Sequence, residues 1–175
     1  KESVSLILKN RLNNSLSMFS SQPIFWIDPV LSETNEISQN ADKNYNAKID
    51  LDNLIQNPKS IVIKSPPQFG LTSLANHMVK EAWGNDDLWV YLDATKAKRN
   101  AISKSVNKEI SDLNLQRKDI KCIVLDSWIN TEHGATKLLK NLCKEFRDIP
   151  IIVMQTIDDS RFRKEEEKET VDREF

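Results

Sequence analysis

SIVIKSPPQFGLTSLANHMVKEAW, residues 60–83, is the stretch that decides the fold of this chain. Its β-branched beginning, residues 60–64, predicts a short strand that ends at a pair of prolines. From residue 72 to residue 83 apolar side chains recur at helical spacing, and Gly84 supplies a C-terminal stop. The stretch therefore predicts one strand, one polar turn and one helix in succession.

The same alternation continues toward the C-terminus. Further near-continuous apolar runs predict strands at 88–93, 122–126 and 150–154, and helical periodicity predicts helices at 99–113 and 135–146. Apolar strands of this kind are buried on both faces, as in a parallel sheet covered by helices. We therefore expect an α/β fold in which a parallel sheet lies between two helical layers.

The N-terminal part of the chain lacks this alternation. We expect an amphipathic helix over 4–19, an extended segment that packs over 22–29, and a polar surface loop over 32–48. Asp50 is expected to cap a short helix over 51–56. The chain then divides into three parts: an extension over 1–49, an α/β core over 50–160, and a charged tail or helix start over 161–175.

Composition narrows the environment and the partners. The charge of −1, from 25 Lys and Arg against 26 Asp and Glu, gives no general basic field, so nucleic acid is an unlikely partner. No apolar run is long enough to cross a membrane, and we expect a cytoplasmic protein in which Cys122 and Cys143 are buried free thiols. The chain lacks an initiator Met, and its last segment is polar, with the charged run 165–169. We expect a fragment whose partners include other domains of a longer chain.

The turn at 65–73 (Ser-Pro-Pro-Gln-Phe-Gly-Leu-Thr-Ser) matches part of the phosphate-loop pattern G-x-x-x-x-G-K-[ST]. Gly70 and Thr72 fall on the second glycine and on the hydroxyl that binds magnesium. Ser65 replaces the first glycine, and Leu71 replaces the lysine.

Free amides at the beginning of a helix make an anion site, so this turn is a candidate for phosphate binding. The alternative is a plain strand-to-helix turn in which Thr72 or Ser73 caps the helix.

Two further polar positions follow predicted strands. Asp126 comes after four apolar residues, which is the Walker B form, and Gln155-Thr156 follow the last strand. Ligands in such sheets bind beyond the carboxyl ends of the strands. We therefore expect these residues to lie near the turn at 65–73.

Taken together, these motifs resemble the core of a P-loop NTPase of the AAA+/STAND group, from about residue 50 to residue 158. The resemblance implies ATP or ADP with Mg²⁺ as cofactor, and Thr72 and Asp126 as the metal ligands. It implies cofactor binding by Pro67, Gln68, Phe69, Gly70, Leu71, Thr72, Ser73 and Gln155.

The departures from the family pattern concern charge. Leu71 removes the lysine that neutralises the phosphates, and Ser127 stands where a second acid would orient the attacking water. The sequence therefore predicts weak or absent nucleotide binding and slow or absent hydrolysis, with no residue assigned a catalytic role.

The resulting expectation is a regulatory or oligomerisation module of a larger bacterial signalling or antiphage defence protein. Two alternatives stay open. One is an active ATPase completed in trans by a neighbouring subunit of a homo-oligomer, and the other is a nucleic-acid-associated AAA+-like ATPase.

Overall fold

The structure of the protein is a computed structural model that describes Leu6, Asn10 and residues 26–32, 48–96, 101–129 and 135–157. Strands and helices alternate through most of the described chain. Their order is β1 Leu31–Ser32, β2 Lys48–Ile49, α1 Leu51–Gln56, β3 Ile61–Ser65, α2 Leu71–Gly84, β4 Leu88–Asp93, α3 Ile102–Asp112, a 3-10 turn Arg117–Asp119, β5 Ile120–Trp128, α4 Ala135–Glu145 and β6 Ile151–Thr156.

The last four strands form one parallel sheet in the order β3-β6-β5-β4. The last strand of the chain, β6, therefore lies between β3 and β5. The registers pair Ser65 with Thr156 and Asp93 with Asp126, so the carboxyl ends of all four strands meet at one edge. This edge is where an α/β sheet of this kind binds its ligands.

Helices cover both faces of the sheet. On the first face, α1 and α2 bury a core that includes Ile63, Trp89, Cys122 and Met154. On the second face, α3 and α4 bury a separate core with the alternate strand residues, such as Val90. The expected α/β fold with a parallel sheet flanked by helices is confirmed, and the two cores agree with a three-layer arrangement.

The expected signal at the beginning of α1 is confirmed, whereas the expected stop at Gly84 is not, because Gly84 is the last helical residue of α2 and the left-handed residue beyond it is Asp86, with φ 65°. The Asp50 carboxylate accepts hydrogen bonds from the amides of Asp52 (3.0 Å) and Asn53 (3.2 Å), and so caps α1. In α2 the buried residues are 74–76, 78, 79 and 82, which lie on one side of the helix, toward the sheet.

The expected loop over 32–48 is wrong at both ends, because Ser32 and Lys48 lie in the short antiparallel pair β1–β2. Pairing of two residues per strand leaves no periodicity in the sequence, which explains why it was missed. Within the range 4–19, Leu6 and Asn10 are helical. The rest of that helix and the tail 161–175 lie outside the described residues, and the three chain divisions stay predictions.

The two cysteines are both free, but they differ in burial. Cys122 is buried in the first core as expected, whereas Cys143 is exposed, so the expectation of two buried thiols is wrong for Cys143. Cys143 directly follows the buried Leu142 on α4 and lies about 100° further round the helix, outside its buried side. Within the described part of the chain, no helix is both long and apolar enough to cross a membrane.

Candidate functional site

The turn between β3 and α2 combines two left-handed residues with an exposed surface. Gln68 has φ 69° and Gly70 has φ 76°, and Phe69 lies between them with 75% of its surface exposed. Backbone that alternates between right-handed and left-handed residues turns successive amides toward one side and forms anion-binding concavities. The turn therefore has a backbone shape suited to an anion.

The beginning of α2 presents amides that no side chain caps. Gly70 is the N-cap residue, and no side chain of the described residues hydrogen-bonds there. The plain-turn alternative requires Thr72 or Ser73 to cap the helix, and neither side chain does so. The first backbone bond runs from the Leu74 amide to the Gly70 carbonyl, at 2.8 Å. The preceding amides, together with the helix dipole, favour negative charge.

The backbone and the side chain of Leu71 have different roles. The side chain is half-buried and packs against the core of the first face. Only its amide faces the turn as part of the helix N-terminus. The position that carries lysine in the resembled family therefore contributes apolar packing in this chain.

Asp126 is buried beneath this edge of the sheet with an exposure of 1%. Its Oδ2 accepts a hydrogen bond from the Tyr91 hydroxyl at 2.8 Å, and its Oδ1 accepts one from the Ser127 amide at 2.8 Å. Burial, and then the Asp126 charge, raise the pKa of Tyr91 far above its usual value. Tyr91 therefore stays a protonated donor to this carboxylate.

The Walker B pattern predicted a strand that ends at Asp126, but the strand is longer. It continues to Trp128 through a register irregularity against β6, and Ser127 in that irregularity has φ 56°. A left-handed non-glycine residue costs energy and is concentrated at functional sites. Ser127 occupies the place of the family's second acid, and it supplies no carboxylate.

Asn76 is a site residue that the sequence analysis missed. It is 5% exposed on α2, and its Nδ2 donates to the Thr72 carbonyl at 2.7 Å. A hydrogen bond from the same side chain acts to lower the pKa of Tyr91, against the larger effect of burial. Its Oδ1 has no partner among the described residues. A polar residue on the apolar side of a predicted helix is the signal that would have found it.

Gln155 lies on the face opposite Asp126. The residues of β6 alternate between the two cores, and this alternation puts Gln155 on the second face. Its residues in the first core are Ile152 and Met154, and those in the second core are Ile151 and Val153. Thr156 falls on the first face, opposite Ser65 of β3. Strand alternation therefore makes Thr156, rather than Gln155, the β6 residue that shares a face with Asp126.

Magnesium does not fit this arrangement as it stands. Thr72 is exposed and offers a hydroxyl, but each oxygen of the buried Asp126 already accepts a hydrogen bond from the protein. Mg²⁺ keeps several waters in an octahedral shell and reaches such a carboxylate through them. In the described residues no group of three His, Cys, Asp or Glu side chains could hold a metal ion.

Comparisons of this chain with protein-family models, with curated proteins and with solved structures find no match.

Proposed function

We propose that residues 50–157 form a degenerate P-loop NTPase-like domain that binds nucleoside phosphates weakly and acts as a regulatory and oligomerisation module. The observation that carries this proposal is the left-handed turn at Gln68 and Gly70, which leads into the uncapped beginning of α2. It lies at the sheet edge where the strand bearing Asp126 also ends. The module belongs to a larger cytoplasmic bacterial protein that serves signalling or antiphage defence.

The strand order supports the same proposal. In the resembled AAA+/STAND group the strand that follows the Walker B strand lies between it and the loop strand. The order β3-β6-β5-β4 has this arrangement, with β6 between the turn-bearing β3 and the Asp126-bearing β5.

Weak binding follows from the charges at the turn. The backbone amides favour a phosphate, and no acidic residue lies in the first turn of α2 to oppose it. No lysine follows Gly70, so the charge-assisted hydrogen bond of roughly 1.5–3 kcal/mol is missing. We therefore propose ATP and ADP as ligands held mainly by backbone amides.

Apolar side chains around the site support the assembly role. Phe69, Ile129 and Ile157, which follow the carboxyl ends of β3, β5 and β6, are 75%, 50% and 41% exposed. Exposed apolar side chains at one edge of a domain are typical of surfaces that another protein covers. They also favour the second candidate, an ATPase that a neighbouring subunit completes.

Calorimetric titration with ATP and with ADP tests the proposal. We expect weak binding of both by the wild-type chain, and loss of binding in Gly70→Ala, because alanine disfavours the left-handed turn. Gly84→Ala is the matched control, since Gly84 lies at the far end of the same helix and has open space around it. Equal heats for the wild type and both variants would contradict phosphate binding at this turn.

A further inference from the structure

We propose that the Tyr91 hydroxyl takes the place of a metal ion at Asp126, so that this site binds phosphate without magnesium. The inference rests on the proposed function, because it concerns the metal requirement of the same site. It starts from the disagreement between the expected magnesium role of Asp126 and the position of its carboxylate.

The protein supplies a hydrogen-bond donor to each oxygen of the Asp126 carboxylate. Tyr91 donates to one oxygen and the Ser127 amide to the other, both at 2.8 Å. A buried charge without such donors would be costly, and here two donors offset the burial. Each oxygen keeps a second lone pair, but at 1% exposure these lone pairs are enclosed by protein and do not meet the hydrated shell of Mg²⁺.

The tyrosine is itself held in place. It lies on β4, whose Asp93 pairs in register with Asp126, so the two side chains come from neighbouring strands. Asn76 hydrogen-bonds to Tyr91 and donates to the Thr72 carbonyl at 2.7 Å. Asn76 and Tyr91 therefore connect the first turn of α2 to the Asp126 carboxylate. Displacing the tyrosine would disturb the helix that begins at the phosphate site.

At a site of this kind, unlike at a magnesium site, ATP binding does not depend on Mg²⁺. ATP binding by the wild-type chain should be the same within about two-fold in EDTA and in excess Mg²⁺. Tyr91→Phe removes the hydroxyl, keeps the ring, and leaves Oδ2 of Asp126 free for a metal-bound water. Magnesium should then tighten ATP binding to this variant by about ten-fold, which is the effect of one charge-assisted contact.

The experiment is a calorimetric titration of ATP, with EDTA and with Mg²⁺, on the wild type, Tyr91→Phe and Tyr45→Phe. Tyr45 is the second of the two tyrosines and serves as the control. A wild-type chain that magnesium tightens ten-fold or more would overturn the inference. Magnesium-insensitive binding by Tyr91→Phe would also overturn it, because the hydroxyl would then not be what excludes the metal.

Absence of ATP binding in every sample would remove the proposed function, and a second measurement then decides the Tyr91 contact. Thermal unfolding of Tyr91→Phe, Asp126→Asn and the double variant forms a cycle. We expect non-additive shifts of about 3–6 °C in the midpoint if the two side chains are coupled. Additive shifts would overturn the inference along with the function.

Discussion

The indole of Trp26 stacks on the imidazole of His77, with ring centroids 3.8 Å apart and planes inclined by 15°. Trp26 belongs to the segment that precedes β1, and His77 lies on α2. The indole Nε1 also donates to Asp28 at 2.7 Å, which orients the ring. The segment around Trp26 is thus in contact with the helix that begins at the candidate phosphate site.

This stack predicts that acid lowers the stability of the fold. Burial lowers the pKa of His77 below its usual value of 6.5, and the charge of Lys80 acts in the same direction. The carboxylates of Glu81, Asp28 and Asp52 partly oppose this lowering. The unfolded chain then binds more protons below pH 6.5, so the free energy of unfolding falls as the pH falls through that range.

Urea unfolding at several pH values between 8 and 5.5 measures this dependence. His77→Gln should flatten the slope, because it removes the group whose pKa folding lowers. Identical slopes for the wild type and His77→Gln would show that the stack does not contribute to the pH dependence.

The two glycines at the ends of α2 predict effects of opposite sign on stability. Gly70→Ala forces a side chain into φ 76°, and we expect a loss of about 1–2 kcal/mol in the free energy of unfolding. Gly84→Ala meets no neighbouring atom and has no positive φ, and should gain about 0.4–1 kcal/mol. Chemical denaturation of the two variants checks both signs. A neutral Gly70→Ala would mean that the turn relaxes to another backbone conformation.

The two thiols should differ in reactivity. Burial raises the pKa of Cys122 to about 12, and Cys122 also lies within the first core. Cys143 is exposed, and although burial of its sulfur raises its pKa to some extent, reagents can reach it. A thiol reagent at pH 8 should modify one cysteine of the native chain, and both after unfolding. Cys143→Ser should abolish the native reaction; persistence of that reaction would place the accessible thiol at Cys122.

Hydrolysis of ATP by this chain should be far slower than the turnover that is typical of enzymes, about 10 s⁻¹. Ser127 supplies no carboxylate to orient water, and Leu71 no cation to stabilise the transferred phosphoryl group. Phosphate release, measured over a range of protein concentrations, checks this expectation. Specific activity that rises steeply with concentration and is lost in Thr72→Ala would favour completion by a neighbouring subunit.

The core of the fold was predictable because its strands are apolar on both faces and its helices are strongly periodic. The Asp50 cap agreed with a local rule that needs no tertiary context. The predicted stop at Gly84 was wrong, because Gly84 is still helical and the left-handed residue that ends α2 is Asp86. The pair β1–β2 was not predictable, because two paired residues leave no pattern. The Asp126–Tyr91 contact joins residues 35 positions apart in the chain, and only the strand register brings them together.

The contributions of the site residues were less predictable than their positions. The turn at 65–73 and Asp126 do lie at one sheet edge, as their order after the strands indicated. The side-chain directions depended on alternation and on the irregularity at Ser127, which a motif does not encode. This explains why Gln155 faces the second core.

Leu71→Lys separates the phosphate site from its supporting packing. Leu71 is half-buried against the first core, so replacing it should lower the melting temperature by about 2–4 °C, the effect of roughly 1 kcal/mol. A lysine stem can retain part of that contact while its ammonium group extends toward the turn. We expect ATP binding to tighten by about ten-fold, because the amides of α2 already favour the anion and only the charge is missing.

Leu71→Met is the matched control for this prediction, since it keeps the volume and adds no charge. It should leave both the melting temperature and the ATP affinity close to those of the wild type. Calorimetry with ATP and thermal unfolding without nucleotide give the two readouts for each variant. A lower melting temperature for Leu71→Lys with unchanged affinity would identify 65–73 as a structural turn, because a phosphate held by these amides would respond to a cation placed beside it.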